Sequence, residues 1–395
     1  MTDMTGFDDV KEKCDRYLFH NYGRLPVAFT HGEGCYLYGT DGRRYLDLVA
    51  GIAVNALGYA HPDWVAAVSG QAERMAHVSN LYYVEQQGEL AERIAGIAPG
   101  GLSRTLFVNS GAEANEAALK TAVRHTGRTK VLSALNGFHG RTSASLGATG
   151  QEVFHRGFEP LISDAYEYFP YGDLEAVKGL MTKDVAALIV EPVQGESGVI
   201  TAPAEFFKGV RDLCTDNGTV MIVDEVQTGI GRTGEWFGIQ NFGVEPDMVT
   251  MAKALGGGVP IGAVTTDDAI CSVMTPGTHG TTFGGGPLVC AAGCATIDVI
   301  ARDGLVAHAK EVGERWRGDI RTIGSPRIVD VRGYGLITGV EMDSPETASM
   351  VQRACMDEGV LVNVAHGRTL RLVPPLIVSY EQTRVFTDLL RGLLS

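Results

Sequence analysis

Lys253 stands in an apolar stretch, Met248–Val249–Thr250–Met251–Ala252–Lys253–Ala254–Leu255, followed by Gly256–Gly257–Gly258. A lysine so placed loses hydration, its pKa falls, and the free amine can form imines. A lysine snorkelling from a strand end is the simpler alternative, but three successive glycines imply something packed close to the backbone. Asp224 directly follows the apolar run Val220–Val223. A carboxylate there can pair with a protonated pyridine nitrogen and make a ring an electron sink for carbanion chemistry, or it can cap the next turn. In Asn109–Ser110–Gly111–Ala112–Glu113 a strand candidate enters a Gly-containing turn that opens a helix. Free N–H groups at a helix start suit a phosphate, and Ser110 alone would read as an ordinary N-cap.

Three further segments bear chemistry. In Gly137–Phe138–His139–Gly140–Arg141–Thr142 an aromatic can stack on a flat ligand and an arginine can grip a carboxylate bidentately. A core Phe and a surface ion pair remain the plain alternatives, and His139 reads as structural. Gly280–Thr281–Thr282–Phe283–Gly284–Gly285–Gly286 offers hydroxyls on a Gly-rich loop, a weak signal by itself. Arg371 lies among apolar neighbours in Thr369–Pro375, so its guanidinium needs an internal acid or a substrate carboxylate.

The elements that must position these residues follow from hydrophobic periodicity. Strands are expected at Cys35–Tyr38, Arg44–Leu48, Arg104–Asn109, Val131–Leu135, Val185–Val190 and Val220–Val223. Asp41–Gly42 marks a hairpin between the first two. Helices are expected at Pro62–Met75, Gln86–Ile97 and Ala114–His125. Continuous apolar strands ending in acids, Glu191 and Asp224, fit an α/β sheet buried on both faces with ligands at the strands' carboxyl ends. From about residue 301 a smaller α+β unit is expected, with strands at Arg327–Arg332 and Leu336–Met342 and helices at Pro345–Asp357 and Tyr380–Leu393. The expected division is an N-terminal segment 1–60 packing with the small unit, a large domain 61–300, and a C-terminal domain 301–395.

Composition bounds the partners. The chain has 395 residues and a formal net charge of −14, with no basic run, which disfavours nucleic acid. No stretch approaches the roughly 20 apolar residues of a membrane span. Seven scattered cysteines fit free thiols in a reducing compartment, and Cys290 and Cys294 are too few for a metal site. A cytoplasmic protein without metal or membrane contact is expected. A nucleotide-binding enzyme that uses Ser110–Ala112 for phosphate is disfavoured because no G-x-x-x-x-G-K-[ST] run occurs and Ser110–Ala112 lacks the dinucleotide glycine spacing.

The order of these segments resembles the class-III, ornithine-type aminotransferases of the aspartate-aminotransferase fold, from about residue 15 to 395. The resemblance rests on Gly51–Asn55, Ser79–Tyr83, Asn109–Glu116, Phe138–Thr142, Asp224–Gly229 and Ala252–Lys253. Six ordered stretches are specific where one would be weak. The resemblance implies pyridoxal 5'-phosphate as cofactor, held as a Schiff base by Lys253, which also shuttles the proton. It implies Asp224 at the pyridine nitrogen, Gln227 at the ring hydroxyl, and Phe138 and Val226 on the two ring faces. Gly111 and Ala112 would bind the phosphate, joined by Thr282 of a neighbouring subunit, so a homodimer with shared active sites is implied. Arg141 and Thr281 would contact substrate. Arg371 would bind the glutamate α-carboxylate, with Glu196 as its partner otherwise. Ornithine-specific members commonly carry a Tyr where this chain has Gly51. Room for an acylated amino group is therefore expected, and with it exchange of the terminal amine of N2-acetylornithine with 2-oxoglutarate in arginine biosynthesis. Succinyl-diaminopimelate, ornithine, 4-aminobutyrate and a carrier-linked lysine precursor are the alternative donors.

Overall fold

Seven strands form the central sheet, in the order Arg104–Val108, Gly262–Thr266, Met248–Met251, Val220–Asp224, Val185–Val190, Lys130–Ala134, Tyr166–Phe169. The computed structural model describes residues 6–395. The five strands from Met248–Met251 to Tyr166–Phe169 are mutually parallel. Gly262–Thr266 runs antiparallel to both its neighbours, Met248–Met251 and Arg104–Val108. The sheet is thus mostly parallel, as the apolar runs imply: every residue of Val185–Val190 and of Val220–Asp224 is buried. Tyr166–Phe169 and Gly262–Thr266 escaped the sequence reading. The former mixes polar and aromatic residues, and the latter is a Gly-Ala-Val-Thr-Thr run with weak alternation.

The helices cover the faces. Helix Gly111–Thr126 begins three residues before its expected start, because Ser110 is the N-cap and its hydroxyl accepts from the Glu113 amide at 3.2 Å. Its Ala-rich face packs on the sheet, with Ala114, Ala117, Ala118 and Ala122 fully buried. Helix Pro287–Arg302 packs against Pro62–Arg74 and Glu85–Ile97, where the Trp64 indole donates to the Gly256 carbonyl at 3.0 Å. That contact ties the helical layer to the three-glycine turn after Lys253.

Two smaller sheets flank this body. Ile328–Tyr334, Ile337–Met342, Thr369–Leu372 and Asn363–Ala365 form an antiparallel sheet in that order. Phe29–Glu33, Tyr36–Gly39 and Arg44–Asp47 form a meander whose last strand pairs in parallel with Val360–Leu361. A C-terminal strand therefore completes the N-terminal sheet. The hairpin at Asp41–Gly42 has Gly42 at φ 76°, a left-handed turn position that glycine adopts without steric cost. Among the described residues no helix is long and apolar enough to cross a membrane, and no group of three or more His, Cys, Asp or Glu is placed to hold a metal.

Candidate functional site

The carboxyl ends of five strands, Arg104–Val108, Lys130–Ala134, Val185–Val190, Val220–Asp224 and Met248–Met251, open on one cavity of about 470 Å³. Each strand delivers something to it: Ser110, Gly111 and Ala112 from the first, Phe138, His139 and Arg141 from the second, then Glu191, Asp224 with Val226 and Gln227, and Lys253. This is where a parallel sheet presents ligand-binding groups.

Lys253 sits at φ 39°, in the left-handed region that a lysine rarely adopts. Such strain costs about 1–3 kcal/mol and persists only where the surroundings over-determine it. Here the chain leaves the strand at Met251 and turns into Gly256–Gly257 immediately. Burial holds the Lys253 amine below the usual lysine range, and the Arg371 charge adds to this against the pull of Glu196, Asp224 and Glu191. The result favours the neutral, nucleophilic amine.

Asp224 is buried and heavily supported. One carboxylate oxygen accepts from the Asn115 amide and faces His139 Nδ1, both at 2.7 Å, and the other accepts from the Val226 N–H at 3.0 Å. Asn115 is itself oriented by the Thr250 hydroxyl, which donates to its Oδ1 at 2.7 Å. Burial works against charge on the His139 ring, but the bond and charge of Asp224, with Glu191 nearby, leave its pKa above the ordinary histidine value. The His139 ring, with Asn115, fixes the orientation of the Asp224 carboxyl group. Glu191 is 7% exposed and accepts from the Phe138 and Gly195 amides. Its own burial pushes its carboxyl up, against His139 and with Asp224.

The helix start is bare. A Cβ on Gly111 would lie 2.8 Å from Val226 Cγ1, and one on Gly140 2.7 Å from Ala112 Cβ. Only glycines leave this strip open, and Gly111 and Ala112, whose N–H groups have no partner within the helix, line the cavity. Phe138 and Val226 both line it. Gln227 does too, and its amide packs against Gly195, where a Cβ would lie 2.2 Å from Gln227 Oε1.

Arg371 and Glu196 form an ion pair of 2.6 Å, with Arg371 2% exposed and Glu196 30%. Arg371 also donates twice to Asn363 Oδ1, at 2.8 and 3.1 Å. Burial pushes the Glu196 carboxyl up, but the Arg371 guanidinium and Lys253 leave it below the usual carboxylate range. This pair adjoins the cavity through Gln227, whose Oε1 is 3.4 Å from Arg371 Nη1, without being part of the wall. Thr281 and Thr282 are also outside the wall of their own chain's cavity. Thr281 accepts from the side chain of Asn109, which does line it, at 2.7 Å.

Eight of the twelve residues singled out from the sequence thus meet in one cavity: Gly111, Ala112, Phe138, Arg141, Asp224, Val226, Gln227 and Lys253. Asn115 and Thr250 were missed. The signal for Asn115 was its position four residues after Gly111, on the same helix face. Thr250 had none, being one polar residue in an apolar strand. Of the rest of the wall, Val54 lies in the Gly51–Asn55 stretch and Gly258 in the three-glycine run, both without an assigned role, and Val259, Pro260 and Ile261 had no signal.

Comparison with known proteins points one way. The family described as Aminotransferase class-III matches residues 17–394. The chain is 42% identical to an acetylornithine aminotransferase of Methanothermobacter thermautotrophicus over 98% of its own length and 99% of the relative's. It is 46% identical to acetylornithine aminotransferase 1 of Bordetella parapertussis over 96% and 98% of the two chains. Among solved structures it resembles the ornithine aminotransferase of Toxoplasma gondii ME49, with a TM-score of 0.95 at 31% identity, covering 99% and 96% of the two chains. The acetylornithine aminotransferase of Elizabethkingia anophelis gives a TM-score of 0.88 at 31% identity over 99% of both.

Proposed function

Since the chain belongs to the class-III aminotransferases, we propose that it uses pyridoxal 5'-phosphate to exchange the terminal amine of N2-acetylornithine with 2-oxoglutarate, giving N-acetylglutamate 5-semialdehyde and glutamate. The observation that carries this is the meeting of Lys253 and Asp224 in one cavity beneath the open start of helix Gly111–Thr126. The residues fit the cofactor: a glycine-lined helix start for a phosphate dianion, a buried carboxylate for a ring N–H, a ring and an isopropyl group to flank a flat heterocycle, and a low-pKa amine for an aldehyde. The ornithine aminotransferase of Toxoplasma gondii, crystallized with oxidized glutathione, holds PLP at partial occupancy in its active site.

Bound pyridoxal phosphate supplies an electron sink that acidifies the C–H bond beside the donor nitrogen. The chain supplies the rest. Gly111 and Ala112 hold the phosphate, and Thr282 of a second copy joins them. Asp224 keeps a proton on the ring nitrogen, with His139 and Asn115 fixing its orientation. Gln227 bonds the ring hydroxyl, and Phe138 and Val226 press on the faces. Lys253 would hold the cofactor's aldehyde group through its amine, and that amine, once free, would take and return the proton at the reacting carbon. Arg141 binds the donor's carboxylate, with Thr281 beside it. Arg371 binds the α-carboxylate of glutamate or 2-oxoglutarate, and Glu196 neutralises it while the donor is bound.

The acetylated donor is favoured over free ornithine by the relatives' names and by Gly51, which has no side chain next to the wall residue Val54. A homodimer is supported by the exposed Leu81, Tyr82, Tyr83 and Phe283. Asn80 donates to the Gly284 carbonyl at 2.9 Å, which brings the segment with these exposed side chains beside the loop of Thr281, Thr282 and Phe283. A patch of this kind on a lone chain marks an interface. The N-terminal segment to residue 60 joins the C-terminal unit 301–395 in this scheme, around a large cofactor domain 61–300. Seven free thiols suit the reducing cytoplasm. Lys253→Ala is the test: the folded variant should bind the cofactor without converting any donor, and unchanged turnover would sink the reading.

A further inference from the structure

Arg141 is seated on aromatic rings. Its Cζ lies 3.9 Å from the centroid of Phe154 and 5.5 Å from that of Phe138. The two rings meet edge to face, 5.9 Å apart at 84°. Phe138 and Arg141 line the cavity, whereas Phe154 stands behind them and is half-buried.

The segment that carries Phe154 is fastened to the same loop. Gln151 donates from its side-chain amide to the carbonyls of Asn136 and Gly137, each at 3.2 Å. His155 Nε2 lies 2.9 Å from the Leu146 carbonyl and 2.7 Å from that of Thr149. Phe154 is therefore held on both sides in sequence and cannot drift relative to Phe138.

A guanidinium has two kinds of surface. Its flat face attracts an aromatic ring, while its N–H donors project from the edge in the plane. A ring on the face leaves the edge free, and the edge is what grips a carboxylate with two parallel bonds. Without that ring the long side chain regains rotamers, which a bound carboxylate must freeze again.

We propose that Phe154 is a positioning residue for substrate recognition, the aromatic shelf that presents the edge of Arg141 to the donor's carboxylate. This rests on the reading of Arg141 as the carboxylate-binding group. Phe154 touches neither substrate nor cofactor. It acts on affinity for carboxylate-bearing donors, and the proton transfers at Lys253 do not depend on it.

The test is a single-turnover comparison in the cofactor-loaded enzyme of N2-acetylornithine with N-acetylputrescine, the same amine without the carboxylate. Phe154→Leu should raise the half-saturating concentration of N2-acetylornithine about two- to fivefold, the range of a cation–π contact at an exposed guanidinium. Its limiting rate, and the response to N-acetylputrescine, should stay within about twofold. Phe154→Tyr should restore the parent value. Phe154→Met, unbranched and able to fill the gap differently, should behave as the Leu variant and guards against a packing defect. Equal weakening of both donors, or no weakening of either, overturns the proposal. Arg141→Met separates the two levels: if it leaves N2-acetylornithine binding unchanged, the underlying reading of Arg141 fails. If it weakens binding while Phe154→Leu does not, only the role of Phe154 fails.

Discussion

Replacing Glu196 by Gln should tighten the grip on 2-oxoglutarate. In the structure the Glu196 carboxylate occupies Arg371 Nη1 at 2.6 Å, so an incoming α-carboxylate has to displace it. Two unit charges about 4 Å apart attract by roughly 4 kcal/mol at an effective dielectric constant near 20. Glu196 is 30% exposed, and its displaced carboxylate regains water. Screening of that kind reduces the net competition to ~1–2 kcal/mol, or about 5- to 30-fold in affinity. Glutamine keeps the size and one acceptor but not the charge. The half-saturating concentration of 2-oxoglutarate, measured on the amine-loaded enzyme by stopped-flow absorbance, should therefore fall by that factor. The N2-acetylornithine half-reaction should not gain, because Arg371 then stands uncompensated beside a donor with nothing to offer it. Fold loss is not expected, since Arg371 keeps both bonds to Asn363. An unchanged or weaker half-saturation for 2-oxoglutarate would refute the assignment of Glu196 as competitor.

Other perturbations have defined outcomes. Burial lifts the Glu225 carboxyl to about 7, against the bonds it accepts from Thr228, Ile239 and Gly238. Its folded value is above its unfolded one, so its contribution to stability is full below about pH 4.5 and is lost as pH rises through about 7. Glu225→Gln removes that loss: between pH 5 and 8 the variant should gain on the parent by roughly 2–3 kcal/mol in urea unfolding, and parallel pH profiles would contradict it. Gly111→Ala drives a methyl to 2.8 Å from Val226 Cγ1; pushing Val226 into the cavity should weaken cofactor retention by about tenfold, given ~1–3 kcal/mol for overpacking, read by dialysis against cofactor-free buffer. Leu81→Asp combined with Tyr83→Asp charges the exposed apolar patch. It should yield monomers in sedimentation velocity that lose turnover at all dilutions, and an active monomer would remove Thr282 from the phosphate site.

The sequence carried the cofactor-facing half of the cavity better than the substrate-facing half, for a physical reason. Lys253, Asp224 and the Gly111 turn each follow a strongly apolar strand, so their exposure at a sheet edge is readable from the run before them. Helix Pro345–Asp357 was legible to the residue, because Ser344 caps it and Pro345 opens it. Strand Gly262–Thr266 was not, since a short Gly-Ala-Val-Thr-Thr run takes its β-structure from two antiparallel neighbours and not from its own pattern. Thr250 was unreadable in the same way, and the place of Asn115 on the helix face did not name its partner. Each acts through a partner far away in sequence: Asn115 meets Asp224 109 residues on, and Thr250 meets Asn115 135 residues back. Such pairings come from topology, which no local pattern carries. His139 reads as structural in the sequence, and the structure places it against Asp224, where support of the carboxylate is its part in the site.

The central claim is tested most directly by mixing the cofactor-loaded protein with N2-acetylornithine, ornithine, 4-aminobutyrate and succinyl-diaminopimelate separately, and following the visible band of the bound cofactor through one turnover. The account predicts that the band is lost fastest, and at the lowest donor concentration, with N2-acetylornithine. A faster response to another of these amines would contradict the assigned donor, and a protein that acquires no visible band in saturating pyridoxal phosphate would contradict the assignment as a whole.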